Sequence, residues 1–95
     1  MFTGNGKYIV GEIRDRTADM LIKVAIPFTN TLNHSDMKRI FHTMHSAGFF
    51  ELDVIHSGYN EKHEVIVRPY GRSESLNLDS DPIGDLVLLK LALNV

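Results

Sequence analysis

The stretch that most constrains this chain is residues 33–55, NHSDMKRIFHTMHSAGFFELDVI, where helical spacing gives way through a glycine to strand alternation. Met37, Ile40, Phe41, Met44 and Ala47 fall on one helical face, with Arg39, Thr43 and Ser46 opposite. Asn33 or Ser35 is placed to cap that helix by accepting a free backbone N–H, and Gly48 to end it in a left-handed conformation. Over residues 49–56 alternation resumes: Phe50, Leu52, Val54 and His56 share one face, while Glu51 and Asp53 point outward.

The flanking segments read as further strands. Residues 7–13, KYIVGEI, are rich in β-branched and aromatic side chains, and Gly11 marks a bulge or a close backbone approach. After a charged turn, Met20, Ile22, Val24, Ile26 and Phe28 alternate with Leu21, Lys23 and Ala25, which predicts a strand with the first set facing the core. Pro27 cannot donate to a ladder, so that end of the strand is an edge, a bulge or a terminus. On the other side of the turn SGYNEK, residues 63–69 return as a strand with Val65 and Val67 inward and Glu64 and Arg68 outward.

Residues 71–81, GRSESLNLDSD, form a polar connection longer than the usual 4 to 6 residues, the length expected of a functional or mobile loop. Asp81 followed by Pro82 predicts a helix start. The segment PIGDLVLLKLALNV is apolar nearly all round, and its leucine content favours helix over the competing strand, in which Val87, Leu89, Leu91, Leu93 and Val95 would alternate.

At 95 residues the chain is one domain, residues 1–95. The order of elements is β-β-α-β-β-α, which predicts an α+β fold: a single four-stranded, mostly antiparallel sheet with two helices on one face. The two halves echo each other. Ile26-Pro27-Phe28 leads through a polar loop to Ser35-Asp36 and a helix; Arg68-Pro69-Tyr70 leads to Ser80-Asp81 and a helix. The echo is either two ββα repeats or a coincidence of residues that commonly end strands and start helices.

Composition removes several function classes. With no cysteine there is no disulfide framework, thiolate metal site or thiol nucleophile. A formal charge of −2, from 10 basic and 12 acidic residues, argues against a general nucleic-acid or anionic-membrane binder. The opening MFTGNGKYIV lacks the basic and apolar regions of a signal peptide, and no apolar run reaches membrane-spanning length, so a cytoplasmic location is expected. No cofactor motif is present.

Three groups of residues carry candidate chemistry. His56 and His63 flank the hairpin turn and sit opposite each other in a regular ladder; an antiparallel helix would bring His34 and Asp36 beside them, enough ligands for a zinc-like ion. The plainer reading is exposed cross-strand neighbours. Lys38, Arg39, His42 and His45 line one flank of the first helix, and with Arg72 offer a surface for an acidic partner or for phosphates, against the plainer reading of a solvated flank. Arg68 and Arg72, near free N–H groups of the last helix, could hold an anion, although Asp79, Asp81 and Asp85 crowd that helix start.

These observations predict a small non-enzymatic protein-binding module that occupies a site on a partner protein, as accessory or inhibitor proteins of phages and mobile elements do. An apolar last helix is covered only in part by one sheet, so a homodimer through the C-terminal segment is expected. The alternatives are a histidine-based metal-dependent hydrolase or small-ligand or nucleotide-binding protein built on His34, His56 and His63, and nucleic-acid binding through the local basic patch.

Overall fold

The computed structural model describes residues 4–57 and 62–95, with side chains for 4–55 and 64–95. Four long strands form one antiparallel sheet: β1 Asn5–Asp15, β2 Met20–Phe28, β3 Thr43–Ser57 and β4 Lys62–Tyr70, in the spatial order β2-β1-β3-β4. A two-stranded sheet of β5 Arg72–Ser73 and β6 Leu78–Asp79 follows, then the helix α1 Leu86–Leu93. A seven-residue 3-10 helix, His34–Ile40, bridges β2 and β3. Central placement of β1 follows from its run Tyr8-Ile9-Val10, fully buried at three successive positions. Successive strand residues face opposite sides, so such a run needs cover on both faces.

That cover comes from two different elements. Tyr8, Val10, Ala25, Phe50 and Val67 pack with Leu89 of α1, joined by Leu52, Val65, Leu86, Leu88 and Leu93. Ile9, Phe28 and Ala47 pack instead with Met37, Phe41, Met44, Leu76 and Leu78. The helical segments therefore lie on opposite faces of the sheet, not on one. Since α1 touches both β2 and β4, the outermost strands, the sheet must curl around it. β2 likewise serves both faces: Ala25 meets α1, Phe28 meets the other layer, and Met20 is exposed, so the predicted single apolar face of this strand does not hold.

The predicted α-helix through Met44 and Ala47 is replaced by the 3-10 helix and the start of β3. Here the vacant edge of β1 outweighs helical periodicity. Extending β3 back to Thr43 satisfies β1's second ladder and buries Ala47 against Ile9, whereas a helix to residue 47 would leave those backbone groups open. Gly48 is consequently mid-strand and buried. A Cβ there would lie 2.5 Å from the Tyr70 carbonyl oxygen, so glycine is required for close approach rather than for a helix end. Gly11 meets both expectations placed on it: the β1–β3 register shifts beside it, and a Cβ would lie 2.3 Å from the Thr43 carbonyl oxygen.

The sheet contains a numerical equivalence between its halves. β2 occupies positions 20–28 and β4 positions 62–70, a displacement of 42 at both ends. Gly6 and Gly48, Tyr8 and Phe50, and Pro27 and Pro69 are separated by the same 42 positions. In the central seam Gly6 pairs with Phe50 and Tyr8 with Gly48, while Pro27 pairs with Tyr8 and Pro69 with Phe50. Each buried aromatic thus lies between a glycine on one side and an edge-strand proline on the other. The prolines sit where a missing ladder donor is tolerated. The equivalence stops at the strands, since the segments that follow pack on opposite faces.

The polar connection 71–81 is not an extended loop. Gly71 (φ +81°) and Asn77 (φ +55°) take the left-handed turns that fold it into the β5–β6 hairpin, which lies against β3. The last segment is helical, as its leucine content predicts, but α1 begins at Leu86 because Pro82 falls in the preceding turn. The turn predicted over SGYNEK falls largely on residues 58–61, outside the described residues. Among the described residues no helix is long and apolar enough to cross a membrane.

Candidate partner-binding groove

The 3-10 helix and the chain leaving it build an open groove of about 420 Å³, lined by Ser35, Lys38, Arg39, Phe41, His42 and Met44. Its start is fixed by reciprocal contacts: the Asp36 carboxylate accepts the Asn33 N–H at 2.9 Å, and the Asp36 N–H bonds to the Asn33 carbonyl at 3.0 Å. At its end the Phe41 N–H reaches back to the Lys38 carbonyl, and the His42 N–H bonds to the Glu12 carbonyl at 2.7 Å, returning the chain to β1. Phe41 then settles over Gly11, where a Cβ would stand 2.7 Å from its ring. Phe41 and Met44 are half-buried and continuous with the Ile9–Phe28–Ala47 cluster, so the groove has an apolar floor on a rigid base.

Lys38, Arg39 and His42 stand exposed around that floor. Among the described residues no side-chain hydrogen bond or ion pair engages any of the three, whereas Arg14, Arg68 and Arg72 all meet carboxylates. The groove unites three of the five residues expected to contact a partner. His45 is separated from it: it is the extra residue of the β3 bulge, and its Nε2 lies 2.9 Å from Glu12 Oε1. Arg72 is also elsewhere, folded into its own hairpin against Asp79 at 3.0 Å, Asn77 and Glu74. Arg68 bonds Asp53 at 2.9 Å on the β3–β4 surface, so the expected anion site of Arg68 with Arg72 is not assembled.

His34 anchors the groove from beneath. Its ring is buried between Phe28 and Phe49, both edge-on at 5.3 and 5.6 Å, and Phe49 in turn stacks on Tyr70. His34 Nε2 donates to the Gly48 carbonyl at 2.8 Å, tying the 3-10 helix to β3. Burial pushes its pKa below the ordinary value; the Gly48 carbonyl works the other way, and Lys7 adds to the lowering. This position separates it from the other candidate metal ligands. His56 and His63 are backbone partners in the β3–β4 ladder, with side chains outside the described residues. Gly48 lies eight positions along β3 from His56, roughly 25 Å of extended strand. Among the described residues no three metal-ligating side chains converge.

A second polar constellation, absent from the sequence reading, lies on the opposite face. Asp85, only 3% exposed, accepts from Tyr8 Oη at 2.6 Å, Ser46 Oγ at 2.7 Å and the Asp81 N–H at 3.0 Å. Because Tyr8 gives its proton to Asp85, the Ser80 hydroxyl donates to the Tyr8 oxygen. Burial, then the Asp85 hydrogen bond, raises the Tyr8 pKa far above the ordinary tyrosine value, with Ser80 opposing. Tyr8, Ser46 and Asp85 are buried and every buried polar side-chain atom among the described residues has a partner, so the network fastens the start of α1 to β1 and β3. Its members span 77 residues of sequence, which no local spacing rule detects.

Comparison with protein-family models, with curated proteins and with solved structures found no match for this chain.

Proposed function

We propose that this protein is a non-enzymatic protein-binding module that occupies a site on its partner by taking an acidic segment of that partner into the Lys38–Arg39–His42 groove. The observation that carries this reading is the pairing state of the cations. Among the described residues the side chains of Lys38 and Arg39 have no ion-pair partner, yet they flank an apolar floor formed by Phe41 and Met44. A segment with carboxylates spaced around one large apolar side chain satisfies both features: carboxylates meet the guanidinium and ammonium, and the apolar residue displaces water from the floor.

A local basic site on a chain of net charge −2 is suited to steering one acidic segment rather than to holding a polyanion along its length. The test is a library of short acidic peptides carrying a central Leu, Phe or Met, titrated against the protein at two salt concentrations. Binding that weakens with salt and falls at least tenfold in the double variant Lys38→Glu, Arg39→Glu is the expected result. Equal affinity for that double variant, or tighter binding of DNA or RNA than of every peptide, removes this function.

A further inference from the structure

The face of α1 turned away from the sheet carries an apolar stripe that the groove does not use. Ile83 is 90% exposed, Val87 66% and Leu91 72%, while Leu89, on the opposite side of the same helix, is fully buried. The turn before α1 is itself helical: the Asp85 N–H bonds to the Asp81 carbonyl at 2.8 Å and the Leu89 N–H to the Asp85 carbonyl at 2.9 Å. Ile83, Val87 and Leu91 therefore stand one above another at intervals of four residues. Val95, half-exposed, extends the stripe beyond the left-handed Asn94, its N–H held by the Lys90 carbonyl at 3.1 Å.

We propose that this stripe is the contact between two copies of the chain, packed as antiparallel helices about a two-fold axis through Val87. Three features favour a second copy. Its helical part, Ile83, Val87 and Leu91, is evenly spaced about Val87, so a two-fold sets Ile83 against Leu91 of the partner copy and Val87 against itself, with Val95 at the rim, the self-complementarity of a symmetric dimer. It is a ridge, which packs between the ridges of a like helix better than into a flat surface. Antiparallel helices also set the positive end of one dipole beside the negative end of the other.

The area is sufficient. Four aliphatic side chains with these exposures present roughly 400 Å² of apolar surface, within the about 300–600 Å² of the patches that mark functional surfaces. Two copies, with the stem of Lys90 and the flanks of Leu86 and Leu88, bury roughly 1,000 Å², the lower bound of a specific interface. This inference is independent of the groove, which lies on the other face of the sheet.

Sedimentation velocity from about 1 to 200 μM and cysteine cross-linking test it. The wild-type chain is expected to shift with concentration from 10.7 kDa toward twice that mass. The Leu91→Glu variant, checked for native circular dichroism, is expected to weaken the dimer by roughly 100-fold, since a charge would be buried against the apolar Ile83 side chain of the other copy. The natural chain has no cysteine, so Val87→Cys supplies a single thiol that is expected to cross-link to its own copy far faster than Lys23→Cys on the exposed edge strand. A monomer at every concentration, a dimer undiminished by Leu91→Glu, or equal cross-linking of the two cysteine variants overturns the proposal. A persistent monomer would assign the stripe to a different protein or to an apolar surface.

Discussion

Tyr8 in the middle of the central strand donates its phenolic proton to Asp85 at the head of the last helix, 2.6 Å away and 77 residues later in the chain. The bond crosses from sheet to helix inside the protein, and Asp85 holds Ser46 of the neighbouring strand with its other oxygen. Replacing Asp85 by Ala removes one buried charged acceptor and leaves two hydroxyls without their partner. Destabilisation of about 3 kcal/mol is expected, against about 1–2 kcal/mol for Tyr8→Phe, measured by urea unfolding with unchanged m-values. Equal, sub-kilocalorie effects would show that the network is not what seats α1.

His34 makes stability depend on pH in a defined direction. Burial lowers its folded pKa beneath the unfolded value of 6.5, so on acidification the unfolded chain takes up a proton before the folded one. Its contribution is complete above about pH 6.5 and is lost as pH falls toward the folded pKa. The urea midpoint should drop between pH 7.5 and pH 5, and the drop should shrink in His34→Gln. An identical pH profile for that variant would locate the effect in other groups.

Gly11 and Gly48 are required for clearance, not for backbone freedom. Their absent Cβ atoms would stand 2.3 and 2.5 Å from the carbonyl oxygens of Thr43 and Tyr70. Alanine at either site forces backbone apart rather than turning a flexible side chain, so a loss of about 2–3 kcal/mol is expected. A thermal midpoint within a degree of wild type for either variant would refute the strand spacing described.

The side chains of Lys38 and Arg39 make no hydrogen bond or ion pair among the described residues, so reversing both charges should leave the thermal midpoint nearly unchanged, within about 0.5 kcal/mol in stability. A scanning-calorimetry shift beyond that would mean the groove cations support the fold itself.

The sequence revealed strands more readily than it revealed their surroundings. The strand character of β2, of β4 and of the distal half of β3, the edge role of Pro27, the close approach at Gly11 and the leucine-rich helix were all readable, because each is encoded within a few residues. The 3-10 helix was not. Met37, Ile40, Phe41, Met44 and Ala47 carry true helical spacing, and what overrules it is a long-range demand, the unfilled edge of β1. A better signal lay in Tyr8-Ile9-Val10, since three successive buried side chains announce a strand covered on both faces. Of the candidate site, Lys38, Arg39 and His42 were legible because a short helical turn groups neighbours in either helical form. His45 was lost to a one-residue bulge that aims it at Glu12. Arg72 was lost to a hairpin that supplies its own carboxylates.

The 42-residue displacement between the two hairpins has a consequence for how the chain reaches this structure. β1 with β2, and β3 with β4, are adjacent both in sequence and in the sheet, so their loop-closure entropy is small and each can form early. The β1–β3 seam closes a loop of dozens of residues and is favourable only once a complementary edge exists. Either hairpin can then act as the template on which the other docks. This topology is therefore expected to give two routes to one seam, one from each hairpin, with a defect in one hairpin slowing only the route that begins there.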